Sequence, residues 1–288
     1  MRYFGGKWRL APWIISHFPP HTCYVEPFGG GASVLLRKPP AQFDVYNDID
    51  NEVVNFFRVL RDRPDELIRA IKLTPFARAE LALAYEPCDD ELERARRFYV
   101  RSWQCRGGPR TQWKSGWRLQ KVNARGKRSI DDWNDFDHLW AVAQRLKQVY
   151  IEHDDALAVI RRYDTPDTLF YCDPPYPPCV RSKRWARHAY QYEMSEEDHR
   201  CVADMLHSIK GMAIVSSYPN DLYDELYAGW HVEFHSTRND HGGRATECLY
   251  ISPSALARQQ QMLIDLPLED HRTSALAGGR RTIDSVNP

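Results

Sequence analysis

The stretch Thr168-Leu169-Phe170-Tyr171-Cys172-Asp173-Pro174-Pro175-Tyr176 constrains this chain more than any other. Its apolar run with aromatic residues reads as a buried strand, and it stops at a carboxylate followed by two prolines. The prolines fix two φ angles, remove two backbone donors and keep the preceding residue out of the helical region. Asp173 and the Pro174 carbonyl are thereby aimed outward rigidly, with the Tyr176 ring beside them. In an open α/β sheet, ligands sit outside the carboxyl ends of strands. One acceptor carboxylate, one free carbonyl and one aromatic face then make a cradle for a planar base that carries an amino group. The plainer reading is a strand end closed by a Pro-Pro turn.

With 288 residues the chain suffices for one large domain or two unequal ones. Its 39 basic and 39 acidic residues cancel overall, but not locally. Residues 101–128 contain Arg101, Arg106, Arg110, Lys114, Arg118, Lys121, Arg125, Lys127 and Arg128 with no acid, and Trp103, Trp113 and Trp117 are interleaved. Gly107-Gly108-Pro109 and Ser115-Gly116 supply turns, so the segment is expected as an irregular loop or hairpin. There, basic residues neutralise phosphates while others read base edges. Charge runs are usually solvated faces, but nine cations without one compensating acid favour nucleic acid. A second basic loop, residues 177–188 with Arg181, Lys183, Arg184 and Arg187, follows Tyr176 and is suited to close over a nucleic-acid strand. The seven cysteines are scattered, odd in number and outside any CxxC spacing, which predicts a reducing, cytoplasmic protein without disulfides or structural metal. No stretch approaches ~18 apolar residues and no N-terminal run resembles a signal peptide, so neither membrane insertion nor secretion is expected.

Taken in order, the chain reads as alternating strands and helices. Residues 1–9 place an aromatic pair, Gly5-Gly6 and Lys7 before a helix at residues 10–17, where backbone amides can meet an anionic group; a flexible terminus is the alternative. A strand at residues 22–26 runs into Pro27-Phe28-Gly29-Gly30-Gly31, with a helix expected from Val34. Val34 breaks the GxGxxG dinucleotide fingerprint, and no GxxxxGK phosphate loop is present. The strand Phe43 to Asn47 ends at Asp48, nineteen residues after Gly29, where nucleotide-binding α/β units hold an acid for ribose hydroxyls. Asp50 reads as a helix cap. Helices are expected from residue 51, from Pro64 and from Asp89-Asp90, then one over residues 131–148 with an aromatic core stripe. A strand at residues 149–152 leads to Asp155, which is either a cap or an acid at the same sheet edge. After Tyr176 come a capped helix from Ser195, a strand at residues 212–216 and a final hairpin. Residues 254–288 show little core pattern and read as a flexible tail.

Four segments in this order, Arg2-Tyr3-Phe4-Gly5-Gly6-Lys7, Glu26-Pro27-Phe28-Gly29-Gly30-Gly31, Asn47-Asp48-Ile49-Asp50 and Asp173-Pro174-Pro175-Tyr176, resemble the Dam-type DNA adenine-N6 methyltransferases. The group resembled has the cofactor motifs first, an inserted target-recognition region, then the DPPY motif. The resemblance implies an α/β fold: a Rossmann-like, S-adenosylmethionine-dependent methyltransferase sheet from residues 1–50 and 149–253, with a mainly helical target-recognition domain inserted at 51–148. It implies S-adenosylmethionine held by Tyr3, Gly5, Gly6, Lys7, Glu26, Phe28, Gly29, Gly30, Gly31, Asp48 and Asp155, and catalysis by Asp173, Pro174 and Tyr176. Double-stranded DNA is the expected partner and the chain is expected as a monomer or weak dimer in a prokaryotic or phage setting. Asp173 and the Pro174 carbonyl would accept the two amine hydrogens while Tyr176 stacks on the extruded base. Cytosine-N4 methylation is the near rival, although Ser in place of Asp173 is more typical of it. An inactive DNA-binding homologue is the other. Nicotinamide oxidoreduction, GxSxG hydrolysis and HExxH zinc chemistry lack their motifs.

Overall fold

Successive side chains of a strand face opposite ways, and β4 (Thr168–Cys172) buries both sets: Leu169 and Tyr171 join one apolar cluster, Phe170 and Cys172 another. Such a strand needs cover on both faces, which a parallel sheet between helical layers supplies. The computed structural model of the chain describes residues 3, 5–106, 116–119, 122, 126, 128–180, 191–238 and 244–265. In it β1 (Cys23–Glu26) lies parallel to β4, Val25 opposite Phe170, and β2 (Phe43–Asn47) lies parallel to β1, Val25 opposite Val45. β3 (Val149–Glu152) extends that side, and β5 (Met212–Ser217) pairs with the other edge of β4. The antiparallel hairpin of β6 (His231–Arg238) and β7 (Arg244–Ile251) joins through β7, giving the order β3-β2-β1-β4-β5-β7-β6. This mixed seven-stranded sheet is consistent with the methyltransferase fold that the resemblance implies. Strand order reverses between β1 and β4, so a crevice opens between their carboxyl ends, where Glu26 and Asp173 stand.

One face of the sheet is covered by α8 (Ala156–Tyr163), α9 (Glu196–Ser208) and α10 (Asp221–Leu226), through Val159, Ile160, Val202, Leu206 and Tyr223. The other face carries α1 (Ala11–Ser16), α2 (Asn51–Asp62), α3 (Pro64–Leu73), α4 (Arg78–Leu83), α5 (Glu91–Gln104), α6 (Ser129–Trp133), α7 (His138–Leu146) and α11 (Pro253–Asp265). The helices between β2 and β3 do not have a core apart from the sheet. Phe57 of α2 meets Tyr46 of β2 edge-on at 5.1 Å, and Phe56, Phe98, Tyr99 and Trp133 continue the same apolar cluster. No described helix is long and apolar enough to cross a membrane.

Local chemistry decides where most helices start. Asp50, Asp90, Asp155 and Ser195 accept hydrogen bonds from the backbone of Glu52, Glu93, Ala158 and Asp198, which satisfies N–H groups that have no partner within the helix. Three expectations are corrected, and two helices are added. The chain after the glycine loop makes successive turns rather than a helix before Pro39-Pro40. The single helix expected at 131–148 is two, α6 and α7, broken at residues 134–137, and Trp140 of the supposed core stripe is exposed. Helices α4 and α10 were not expected. The expected tail begins as α11, capped by the Ser252 hydroxyl, with Ala255 fully buried and Arg258 paired to Asp167. Among its described side chains, Ala255 and the half-buried Leu256 reach the core cluster. The Ser-Pro start at 252–253 was the available signal.

Candidate active site

The crevice is a cavity of about 400 Å³ lined by Tyr3, Gly5, Gly6, Lys7, Glu26, Phe28, Gly29, Gly30, Gly31, Asp48, Asp155 and Asp173, among others. Sequence positions from 3 to 173 thus converge on one space. Of the residues expected there, Pro174 and Tyr176 are buried behind the cavity rather than along its wall. The described lining carries eight acids (Glu26, Asp48, Asp50, Asp154, Asp155, Asp173, Glu193 and Asp198) and one base, Lys7. Such a wall favours a cationic ligand.

The glycine loop is held by backbone and by rings of the protein itself. Gly29 N–H donates to Asn47 O at 2.7 Å, and a Cβ at Gly29 would stand 2.2 Å from Tyr46 Cε2. Gly30 has φ +47°, and a Cβ there would stand 2.8 Å from Tyr3 Cε1. Asp48 accepts from Gly30 N–H at 2.7 Å and from Asp50 N–H at 2.8 Å, so both its oxygens hold main chain at the cavity edge. Burial outweighs those bonds and pushes its pKa to about 6. Glu26 at the end of β1 accepts from the Tyr24 hydroxyl and from Leu35 N–H, each at 2.7 Å, and burial lifts it to about 8. Asn47, given no site role from the sequence, bridges three strand ends: it donates to Pro27 O and Asp154 O and accepts from Asp154 N–H. Asp155 caps α8 and also lines the cavity.

At the end of β4 the Asp173 carboxylate is occupied. Lys7 Nζ donates to Oδ1 at 2.7 Å and to Oδ2 at 2.8 Å, and also to Gly5 O at 3.2 Å. Lys7, expected toward the cofactor, lines the cavity, is 7% exposed and centres its charge on the catalytic candidate. The same ammonium sits 4.7 Å from the centroid of the Tyr176 ring. The Tyr176 hydroxyl donates to the Glu247 carboxylate, and the Tyr218 ring meets it edge-on at 5.0 Å. Burial and the neighbouring acids Asp173 and Glu247 hold the Tyr176 phenol protonated, well above its ordinary range. The Ser216 hydroxyl donates to Asp173 Oδ1 at 2.8 Å, leaving its oxygen to pair with the Tyr171 hydroxyl at 3.1 Å. Ser216, Tyr171 and Glu247 were not anticipated. A lone acid inside the apolar strand Glu247 to Ile251 was the signal for the last.

Of the basic residues expected at DNA, Arg110, Lys114, Lys121, Arg125, Lys127, Arg181, Lys183 and Arg184 lie outside the described residues. Arg106 is exposed and follows Cys105, which forms an isolated antiparallel bridge with Trp117. Arg118 is largely buried with its guanidinium 3.5 Å from Asp132, and Arg128 pairs with Asp131 at 2.7 Å. Acids just beyond the basic run therefore compensate two of its cations, which the charge count over 101–128 did not register.

A family model described as D12 class N6 adenine-specific DNA methyltransferase matches residues 3–96 and 118–239. The DNA adenine methylase of Salmonella typhi is 25% identical over 243 residues, covering 79% of this chain and 83% of that protein. Those of Serratia marcescens and Escherichia coli K12 are 24% and 22% identical, covering 80% and 79% of this chain and 86% and 83% of theirs.

Proposed function

The chain belongs to the D12 class N6 adenine-specific DNA methyltransferases, and from that premise we propose that it transfers a methyl group from S-adenosylmethionine to N6 of an adenine extruded from double-stranded DNA. One observation carries the reading of the site: a single ammonium, that of Lys7, lies both on the Asp173 carboxylate and over the Tyr176 ring. An amino group attached to a planar base would satisfy the same two neighbours. Adenine's N6 is a poor nucleophile because its lone pair is delocalised into the ring. A carboxylate that accepts its hydrogens favours pyramidalisation and exposes the lone pair. Asp173 need not be a strong base, since the nitrogen becomes acidic only once the methyl has arrived; position and charge supply most of the effect. Ser216 holds one carboxylate oxygen in place, and Glu247 holds the phenol of Tyr176, so the ring is a fixed platform. Extrusion of a base costs a few kcal/mol, and stacking on an aromatic ring returns about 1–3 kcal/mol.

S-adenosylmethionine when bound supplies an electrophilic methyl on a cationic sulfonium. The residues fit it. A cavity of about 400 Å³ falls within the usual range for small ligands, ~300–1,000 Å³, and its acidic wall suits two positive charges. Asp48 and Glu26 are the acids whose ionised forms such a ligand would stabilise. Target recognition is assigned to the basic segment of residues 101–128. The family match breaks at residues 97–117, which overlaps the first part of that segment, and resumes at residue 118. A cytoplasmic location follows from the DNA substrate.

The test is transfer of labelled methyl from S-adenosylmethionine to unmethylated duplex DNA, followed by nucleoside analysis. N6-methyladenine is expected. N4-methylcytosine, or no incorporation across DNA rich in different sequences despite intact cofactor binding, overturns the reading.

A further inference from the structure

Glu247 belongs to none of the motifs that mark this site, yet it completes the cluster around Asp173. It stands on β7 one residue before Cys248, which pairs with Ser217 at the end of β5. Its side chain is 3% exposed, and burial pushes the carboxyl above its ordinary range although Lys7 and Tyr176 favour the ionised form. The Tyr176 hydroxyl donates to it. Lys7 Nζ lies 3.6 Å from Glu247 Oε1 and 2.7 Å from Asp173 Oδ1, so one ammonium is shared unequally between two carboxylates.

That sharing meets a requirement of the chemistry. Lys7 Nζ bridges both Asp173 oxygens and lies 4.7 Å from the Tyr176 ring centroid, so it fills the space between carboxylate and ring that the substrate amine needs. The ammonium must yield its place, but a buried cation stripped of its partner is strongly unfavourable. A displacement of about 1 Å toward Glu247 turns the longer separation into a charge-assisted hydrogen bond. After that exchange Lys7 remains paired, Asp173 accepts from a neutral amine, and the net charge of the cluster is unchanged.

We propose that Glu247 is a positioning residue that takes over the Lys7 ammonium when the substrate amine claims Asp173, so that the base-binding cradle can open without stranding a charge. The proposal rests on the reading of Asp173 as acceptor of the adenine amine. Glu247→Gln separates this role from packing, because Gln keeps the volume and the acceptor for the Tyr176 hydroxyl and removes only the charge. Steady-state kinetics on duplex DNA from cells lacking adenine methylation are expected to show kcat lowered about tenfold or more. KM for DNA should stay within about twofold, since phosphate contacts carry that affinity. Glu247→Asp, which retains the charge, is expected to keep kcat within about threefold of the unmodified protein. Should Glu247→Gln not fold, Glu247→Asp decides alone by that criterion. An unimpaired Glu247→Gln, or a Glu247→Asp lowered about tenfold, overturns the inference. An unmodified protein that transfers no methyl to adenine overturns the reading of the site, and this inference with it.

Discussion

Replacing Glu26 by Gln tests the electrostatics of the crevice from the energetic side. The carboxyl is 3% exposed, accepts two hydrogen bonds at 2.7 Å, and has its pKa raised by burial from 4.5 to about 8. Between those values the folded chain holds a proton that the unfolded chain releases. The stability contributed by the protonated group is therefore fully present below about pH 4.5 and is lost as the pH rises through about 8. A span of about 3.5 units at ~1.36 kcal/mol per unit amounts to about 5 kcal/mol. Gln preserves the acceptor for Tyr24 and Leu35 and is neutral at every pH. The variant and the unmodified protein should thus be similarly stable near pH 4.5 and diverge steadily above it, the variant being the more stable by several kcal/mol at pH 8. Urea denaturation of the ligand-free protein between pH 5 and 9, followed by tryptophan fluorescence, reads the difference directly. Parallel profiles, or a variant less stable at pH 8, would refute the assignment of a protonated Glu26. Calorimetry supplies the functional counterpart. A cationic cofactor favours the ionised form, so S-adenosylmethionine should bind the unmodified protein with proton release and bind Glu26→Gln more weakly.

Asp173→Ala is expected to abolish methyl transfer while retaining cofactor binding; substantial turnover would sink the role given to this carboxylate. Gly29→Ala sets a Cβ 2.2 Å from Tyr46 Cε2 and 2.9 Å from Asn47 O, and since that oxygen is backbone the loop must shift, at a cost of about 1–3 kcal/mol. An unchanged melting temperature would contradict the close packing. DNA affinity should fall with salt at ~0.9 in log K per log salt for each phosphate neutralised, and a flat response in filter binding would remove the role of the basic segments.

The frame of the molecule was readable because its signals act over a few residues. The period of two in Thr168 to Cys172, the Phe43 to Asn47 strand and the caps at Asp50, Asp90, Asp155 and Ser195 each depend on neighbours along the chain. Where local signals conflicted or were faint the reading failed: Trp140 continued an apolar stripe across residues 134–137, where the helix breaks, and the described side chains of α11 bury too little to show a period.

The sequence by itself therefore determined much of the alternation of elements, the strand that ends at Asp173, and many of the residues that line the crevice. Only the tertiary structure decided what their charged and aromatic tips meet. The resemblance sets the glycine loop at the cofactor, and the loop lines the cavity, but the Tyr3 and Tyr46 rings stand where Cβ atoms at its glycines would lie. Lys7 meets Asp173 across 166 residues of chain, and Glu247 reaches both Lys7 and Tyr176 because β7 inserts antiparallel beside β5. The physical reason is one of range. Propensity, capping and period are set by chain neighbours, whereas burial, pKa and the partner of a charge are set by strand order, which brings together residues that no local pattern relates.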